Sequence, residues 1–289
     1  MTDMTSPNDS WWRAGNDDRP VPAGIDPTVP SPARMYDYYL GGKDNYAADR
    51  EAAEKALTVV PHGRRIARAN RAFLAHAVER MARSGICQFI DLGTGIPTSP
   101  SVHEVARAIE PRARVLYVDN DPTVTVHNRA LIAKSAGIAA IDGDIRQPSR
   151  VFASKELQEL IDFSEPVGML FVAVLHFIPD VDGLEGIVRS FTKYLAPGSW
   201  IAISHITSEG TDPAVMATIE EAYAKASAPA VFRTKAEIRT FVADFDLIPP
   251  GLADLSQWFP YPVFTIGPPA LGFLAAAGSM RTSETGEAR

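Results

Sequence analysis

At 289 residues the chain is long enough for one large α/β domain with appendages. A hydrophobic share of 46% excludes wholesale disorder, and a formal charge of −7 gives no support to nucleic-acid or anionic-membrane binding. The single cysteine, Cys87, offers no intrachain disulfide, and the six histidines are scattered without ligand spacing, so no metal is expected.

No basic, apolar, cleavable start and no apolar run of membrane length is visible, which suggests a cytoplasmic protein. Residues 1–31 are polar and rich in proline, and are expected to be flexible. Trp11 and Trp12 are exceptions that suit docking on the body or on a partner. The next segment gathers Tyr36, Tyr38, Tyr39, Gly41, Gly42, Lys43, Asp44, Asn45 and Tyr46. Gly41-Gly42 would give a hinge its freedom, and tyrosine faces would attract a cation. The other reading is two helices packed on a sheet. Farther on, Arg64, Arg68 and Arg71 fall on one helical face. That face either binds an anion or pairs with acids such as Glu51 and Glu54. Asn70 and Arg71 also suit a carboxylate, which a guanidinium grips as a fork.

The first core strand runs into Asp91 and a Gly-x-Gly turn, Phe89-Ile90-Asp91-Leu92-Gly93-Thr94-Gly95-Ile96-Pro97-Thr98. Gly93 and Gly95 allow a sharp turn and close approach of a ligand. Thr98 stands where a dinucleotide fingerprint has its third glycine, which favours a cofactor without phosphates, and S-adenosylmethionine fits. Val102 to Ile109 reads as a helix. A second strand, Arg114 to Val118, ends in Asp119-Asn120-Asp121-Pro122. Asp119 is expected on ribose hydroxyls, with Asp121 capping the following helix. The third strand ends near Asp142-Gly143-Asp144-Ile145, where Asp144 suits an adenine amino group and Ile145 its ring. An ordinary strand–turn remains the alternative there.

Val167 to Leu175 is an unbroken apolar run, as a strand buried on both faces requires, and it ends in His176. His176 is a candidate for the cofactor pocket or for a general base, against a plain core histidine. An Asn/Asp-Pro-Pro-aromatic signature is missing after this strand, which argues against nucleic-acid adenine as substrate. Ser199 to His205 reads as a fifth strand, Thr211 to Ser227 as a helix, and Thr234 to Glu237 as a capping box. Phe245 to Ile248 and Leu271 to Ala277 are candidate last strands. Between them, Trp258-Phe259-Pro260-Tyr261-Pro262 either walls an apolar acceptor pocket or simply packs. The tail from Ser279 is polar and expected to fray.

These motifs together resemble the actinobacterial S-adenosyl methyltransferase family, long a domain of unknown function, within the class I S-adenosylmethionine-dependent methyltransferases. The resemblance covers roughly residues 30 to 278 and is carried by Ala33 to Tyr46, Asn70 to Leu74, Gln88 to Thr98, Val118 to Pro122, Leu175 to Asp180 and Pro197 to Trp200. The Leu-Gly-Gly-Lys-Asp-Asn run at Leu40 to Asn45 is its most specific part. The family's basic pair after Phe73-Leu74 is replaced by Ala75-His76. The resemblance implies a Rossmann-like α/β fold, with a seven-stranded, mostly parallel sheet, helices on both faces and a helical lid. Its last two strands would form an antiparallel hairpin at the sheet edge. The implied division is a flexible segment 1–31, a lid region 32–84, a methyltransferase domain 85–278 and a tail 279–289.

Residues and resemblance together nominate Tyr36, Gly42, Asn45, Arg71, Asp91, Gly93, Thr94, Gly95, Asp119, Asn120, Asp144, Ile145, Leu175 and His176 for S-adenosylmethionine. His176, His205 and Tyr39 are nominated for catalysis. The expected partner is a small-molecule acceptor of unspecified identity, with no nucleic acid and no membrane, and a homodimer is left open. An S-adenosylmethionine-binding protein without catalysis and an NAD-dependent oxidoreductase are the alternatives.

Overall fold

A computed structural model of the chain describes residues 21, 24–132, 135–259 and 271–281. The expectations for residues 1–20, with Trp11 and Trp12, for 260–262 and for the tail beyond 281 lie outside the described residues.

Three helices precede the sheet: α1 (Pro32–Leu40), α2 (Ala47–Val59) and α3 (Gly63–Arg83). Pro32 opens α1, where its missing N–H costs nothing. Gly41, at φ 87°, ends α1 while its N–H and that of Gly42 return to the Tyr38 and Asp37 carbonyls. A Cβ on Gly42 would lie 1.9 Å from the Asp37 carboxylate. The pair thus ends α1 before α2 begins, which is the arrangement of two packed helices that the sequence also offered. Asp37 also accepts from Asn45 Nδ2 at 2.8 Å and from the Asp44 N–H at 2.9 Å. Those bonds fold the Gly-Gly-Lys-Asp-Asn run back over the end of α1.

The sheet starts with β1 (Gln88–Leu92), β2 (Arg114–Asp119), β3 (Ile138–Asp142), β4 (Gly168–Val172) and β5 (Trp200–Thr207), all parallel. β6 (Phe245–Leu247), the two-residue β7 (Ala253–Asp254) and β8 (Gly272–Met280) complete it. The order is β3-β2-β1-β4-β5-β8-β6, with β7 also on β8. β8 runs antiparallel to both β5 and β6, so it lies inside the sheet and β6 forms the edge. The last strands therefore pair antiparallel at the sheet edge as expected, with the short β7 between them in the chain.

Helices α4 (Val102–Arg107), α5 (Pro122–Ile132), α6 (Pro148–Phe152), α7 (Lys155–Leu160), α8 (Leu184–Thr192), α9 (Pro213–Tyr223) and α10 (Lys235–Thr240) fill the connections. Ser101 and Thr234 build capping boxes with Glu104 and Glu237, which satisfy amides that open α4 and α10. Asp121 accepts the Thr123 N–H at 2.8 Å, which is the cap expected for α5. Alternate residues of β1 feed two cores. Phe89 joins Phe73, Val115 and Leu170 on the α3 side, while Ile90 and Leu92 join Leu116, Phe171 and Phe191 on the other. Burial on both faces is what makes these strands read as unbroken apolar runs.

β4 is shorter than its apolar run. It stops at Val172 because Ala173 adopts φ 57°, after which Leu175–Phe177 form a turn of 3₁₀ helix. A positive φ at a residue with a side chain is uncommon and clusters at functional sites. Here it turns the chain across the carboxyl end of the sheet, where open α/β folds bind ligands.

Candidate functional site

A cleft of about 390 Å³ opens at the carboxyl ends of β1, β2 and β4, roofed by the segment from Gly24 to Tyr36. Gly93, at φ 71°, is fixed by two constraints: its left-handed backbone, and a Val174 methyl 2.2 Å from where a Cβ would sit. The loop is held down by the Gly93 N–H donating to the Val118 carbonyl at 2.8 Å. Thr94 donates its hydroxyl to Asp91 at 3.0 Å.

Three buried acids line this cleft, Asp91, Asp119 and Asp121, and burial raises the pKa of the first two. Asp119 accepts the Gly95 N–H at 2.8 Å on one oxygen and the Asp121 N–H at 2.9 Å on the other. Burial pushes its pKa up to about 7, against the lowering effect of those two N–H groups. Burial likewise raises Asp91 to about 6, offset by the nearby Arg71 charge and the Thr94 bond. Each carboxylate oxygen has two lone pairs, so both residues keep capacity for hydroxyl or ammonium donors. Arg71 itself donates to the Thr98 carbonyl at 2.9 Å and the Pro100 carbonyl at 3.1 Å, and so fixes the stretch after the glycine loop. Asp144 lines the far end beside Ile145, and Arg146 holds its carboxylate in a fork, Nε to Oδ1 at 3.0 Å and Nη2 to Oδ2 at 2.7 Å. That fork keeps Asp144 ionised, below the usual carboxylate range despite burial.

The roof is tied down by Asp121 and by a further acid, Asp49. Arg34 donates to Asp49 at 2.8 Å and lies 3.7 Å from Asp121, to which the Ser31 hydroxyl also donates. Beneath it, Asn70 bridges α1 to the sheet. Its Nδ2 donates to the Tyr36 hydroxyl at 2.9 Å, and its Oδ1 accepts from Ser204 at 2.6 Å.

The structure gathers Tyr36, Arg71, Asp91, Gly93, Thr94, Gly95, Asp119, Asn120, Asp144 and Ile145 around this cleft. It places four of the nominated cofactor residues elsewhere. Gly42 and Asn45 are engaged with Asp37, Leu175 is fully buried in the core, and His176 lies against a second, smaller cavity. His205 is fully buried, with Nδ1 on the Ile206 carbonyl and Nε2 3.0 Å from Arg233 Nη1. Both ring nitrogens are used, so it is not free to act as a base. Tyr39 lines the smaller cavity, but burial raises its pKa well above the ordinary phenol value, so it keeps its proton. Trp258 packs edge-on against Phe73 at 4.9 Å and donates to the Ala275 carbonyl at 3.0 Å, which is the packing alternative. Arg64 pairs with Glu54 at 2.9 Å, so that part of the arginine face is satisfied internally.

Two features carried little sequence signal. Ala173 and Val174 form the cleft wall but sit inside an apolar run that reads as strand. Arg233, buried in an otherwise unremarkable stretch, donates to the Leu175 and Ile178 carbonyls at 3.2 and 2.7 Å and to Asp180 at 2.6 Å. It clamps the turn that follows β4.

A parallel sheet with one inserted antiparallel strand, a glycine loop after β1 and an acid closing β2 define a Rossmann-like class I methyltransferase fold. Residues 18–278 match the S-adenosyl methyltransferase family, and the chain belongs to it. It is 35% identical to a Thermobifida fusca protein described as a candidate methyltransferase, with a TM-score of 0.83 over 90% of this chain and 98% of that one. It is also 35% identical to a DUF574 family protein of Streptomyces avermitilis, with a TM-score of 0.83 over 88% and 98% of the two chains. No curated protein matches the chain. The cofactor is S-adenosylmethionine and the reaction is methyl transfer. Among the described residues no helix is long and apolar enough to cross a membrane, and no group of acids, histidines and cysteines is placed to hold a metal.

Proposed function

We propose that the large cleft holds S-adenosylmethionine and that the methyl group passes to a small-molecule acceptor in the cytoplasm. In this reading Asp119 accepts from the ribose hydroxyls, and Asp144 with Ile145 holds the adenine. Asp91, with Arg71 behind it, faces the amino-acid end. Gly93, Thr94, Gly95 and Asn120 form the floor, and Tyr36 closes the side toward the acceptor.

The observation that carries this reading is the pair of buried carboxyls. Asp119 and Asp91 line one cleft, and both are pushed upward by burial. A protein that buries two acids beside a glycine loop gains from a ligand that donates hydroxyls to one and brings positive charge to the other. A nicotinamide dinucleotide suits the cleft less, because its pyrophosphate would meet these acids instead of amides and cations.

S-adenosylmethionine supplies a methyl group that is already activated. The protein's remaining work is alignment and exclusion of water, and orientation alone is worth roughly 7–11 kcal/mol. The Tyr36–Asn70–Ser204 chain, which reaches the Ala173 N–H, and the Arg233 clamp provide that rigidity by fixing the wall through Ala173 and Phe177. The test is calorimetric titration with S-adenosylmethionine, S-adenosylhomocysteine and NAD. Micromolar binding of the two sulfur ligands, lost in Asp119→Ala, supports the reading; a preference for NAD overturns it.

A further inference from the structure

A second chamber of about 90 Å³ adjoins the cleft, and the two share Tyr36, Ala173 and Phe177 as walls. Its own lining comes from α1, α2, α3, α9 and the ends of β5 and β8. Leu57, Val60, Ile66, Ile206, Ile219 and Phe273 make it almost wholly apolar. Protein interiors hold few voids larger than a water, and the walls of an empty one forfeit the contacts that a filled one would supply. A chamber of this size beside a ligand cleft is therefore a place for part of a ligand.

Among the described residues that line it, none is an aspartate, glutamate, lysine or arginine. Its titratable side chains are Tyr36, Tyr39, Tyr223 and His176. Burial raises the three phenols, Tyr223 to about 12, and lowers the imidazole well below the ordinary histidine value, so all four are uncharged at neutral pH. A charged group entering here would lose its water and meet no counter-charge. The phenol hydroxyls are also engaged already. That of Tyr36 lies between Asn70 Nδ2 and the Ala67 carbonyl, and those of Tyr39 and Tyr223 meet each other at 3.4 Å. The volume narrows the choice further. A cavity of about 150 Å³ holds benzene, so at about 25 Å³ per carbon this chamber takes about three or four carbons of an alkyl chain, and no ring.

We propose, with the larger cleft holding the cofactor as the premise, that this chamber receives a short uncharged alkyl group of the methyl acceptor. The rest of the acceptor, with the atom to be methylated, then lies at the Tyr36–Ala173–Phe177 junction, which borders both spaces. The acceptor is thus a small molecule with one apolar end, and a charged end is excluded from the chamber.

The test uses the straight-chain alcohols from ethanol to 1-heptanol, titrated by saturation-transfer NMR into the full chain with and without saturating S-adenosylhomocysteine. Affinity should rise about fourfold per methylene up to about 1-pentanol and then level off. 5-Amino-1-pentanol, charged at its far end, should bind about tenfold more weakly than 1-pentanol. Leu57→Ala, which enlarges the chamber by about three carbons, should move the plateau toward 1-heptanol, and Ala230→Leu, which fills it, should flatten the series. With S-adenosylhomocysteine bound, interligand NOEs should join the alcohol's CH₂ beside oxygen to the methylenes that flank the sulfur. A series flat from the start, a plateau unmoved in Leu57→Ala, displacement of the alcohols by S-adenosylhomocysteine, or NOEs that are absent or come from the terminal methyl alone would overturn the proposal. Failure of S-adenosylhomocysteine itself to bind would instead count against the cofactor cleft, and the titration without it still judges the chamber alone.

Discussion

Asp119 gives the sharpest handle on the site. In the folded protein it keeps its proton up to about pH 7, whereas the unfolded chain releases it near 3.8. The folded state therefore binds more protons across that interval, and stability is lost as pH rises from about 4 through 7. Other groups act in the opposite sense. His205 is lowered to about 3 and His176 is also pushed down, so they cost stability as pH falls below the usual histidine range. The contribution of Asp119 is isolated by comparison with Asp119→Asn, which keeps those histidines and carries no charge. The variant has its own fixed offset, because its amide accepts only one of the Gly95 and Asp121 N–H groups. Only the change with pH matters. With the two pKa values above and 1.36 kcal/mol per unit, wild type should lose roughly 2–3 kcal/mol relative to the variant between pH 5 and pH 8. Urea denaturation of both proteins without cofactor, at fixed ionic strength, measures this directly. A difference that is flat, or that grows in favour of wild type as pH rises, would refute the buried-acid argument.

Three further outcomes are expected. S-adenosylhomocysteine affinity should rise about tenfold from pH 6 to pH 8 as Asp119 and Asp91 ionise, since a carboxylate accepts more hydrogen bonds than a carboxyl; calorimetry across that range checks it. Gly93→Ala should destabilise by roughly 1–3 kcal/mol and abolish cofactor binding, because φ 71° and the Val174 methyl both exclude a Cβ; thermal unfolding and titration of one sample report both effects. Arg233→Met should cost about 3 kcal/mol by leaving the Ile178 carbonyl and His205 Nε2 without their donor, whereas Asp180→Ala, at an exposed carboxylate, should cost well under 1; parallel urea curves separate the two.

Much of the cofactor cleft was legible in the chain because its chemistry is local. Asp91, Gly93 and Gly95 lie within five residues of one another, and Asp119 closes the next strand, so strand–turn spacing brings them together. Asp121 capping α5 is read the same way. The smaller chamber was not legible. Tyr39 and Tyr223 meet across 184 positions, and only the packing of α1 on α2 and of α2 on α9 brings their hydroxyls together. Nor was the end of β4, because Ala173 has no composition signal for a positive φ and its neighbours are as apolar as the strand. Arg233 is hidden for a related reason. Two of its four partners are backbone carbonyls more than 50 residues away, and any residue type supplies those. Gly41 and Gly42 left two readings open, since a helix stop and a hinge ask for the same residue.

The most direct test of the account is a crystal structure of the protein with S-adenosylhomocysteine. It should show the ribose hydroxyls within hydrogen-bond distance of Asp119, the adenine beside Asp144 and Ile145, and the sulfur facing the junction formed by Tyr36, Ala173 and Phe177. A ligand seated elsewhere, or one in the cleft with no contact to Asp119, would contradict it.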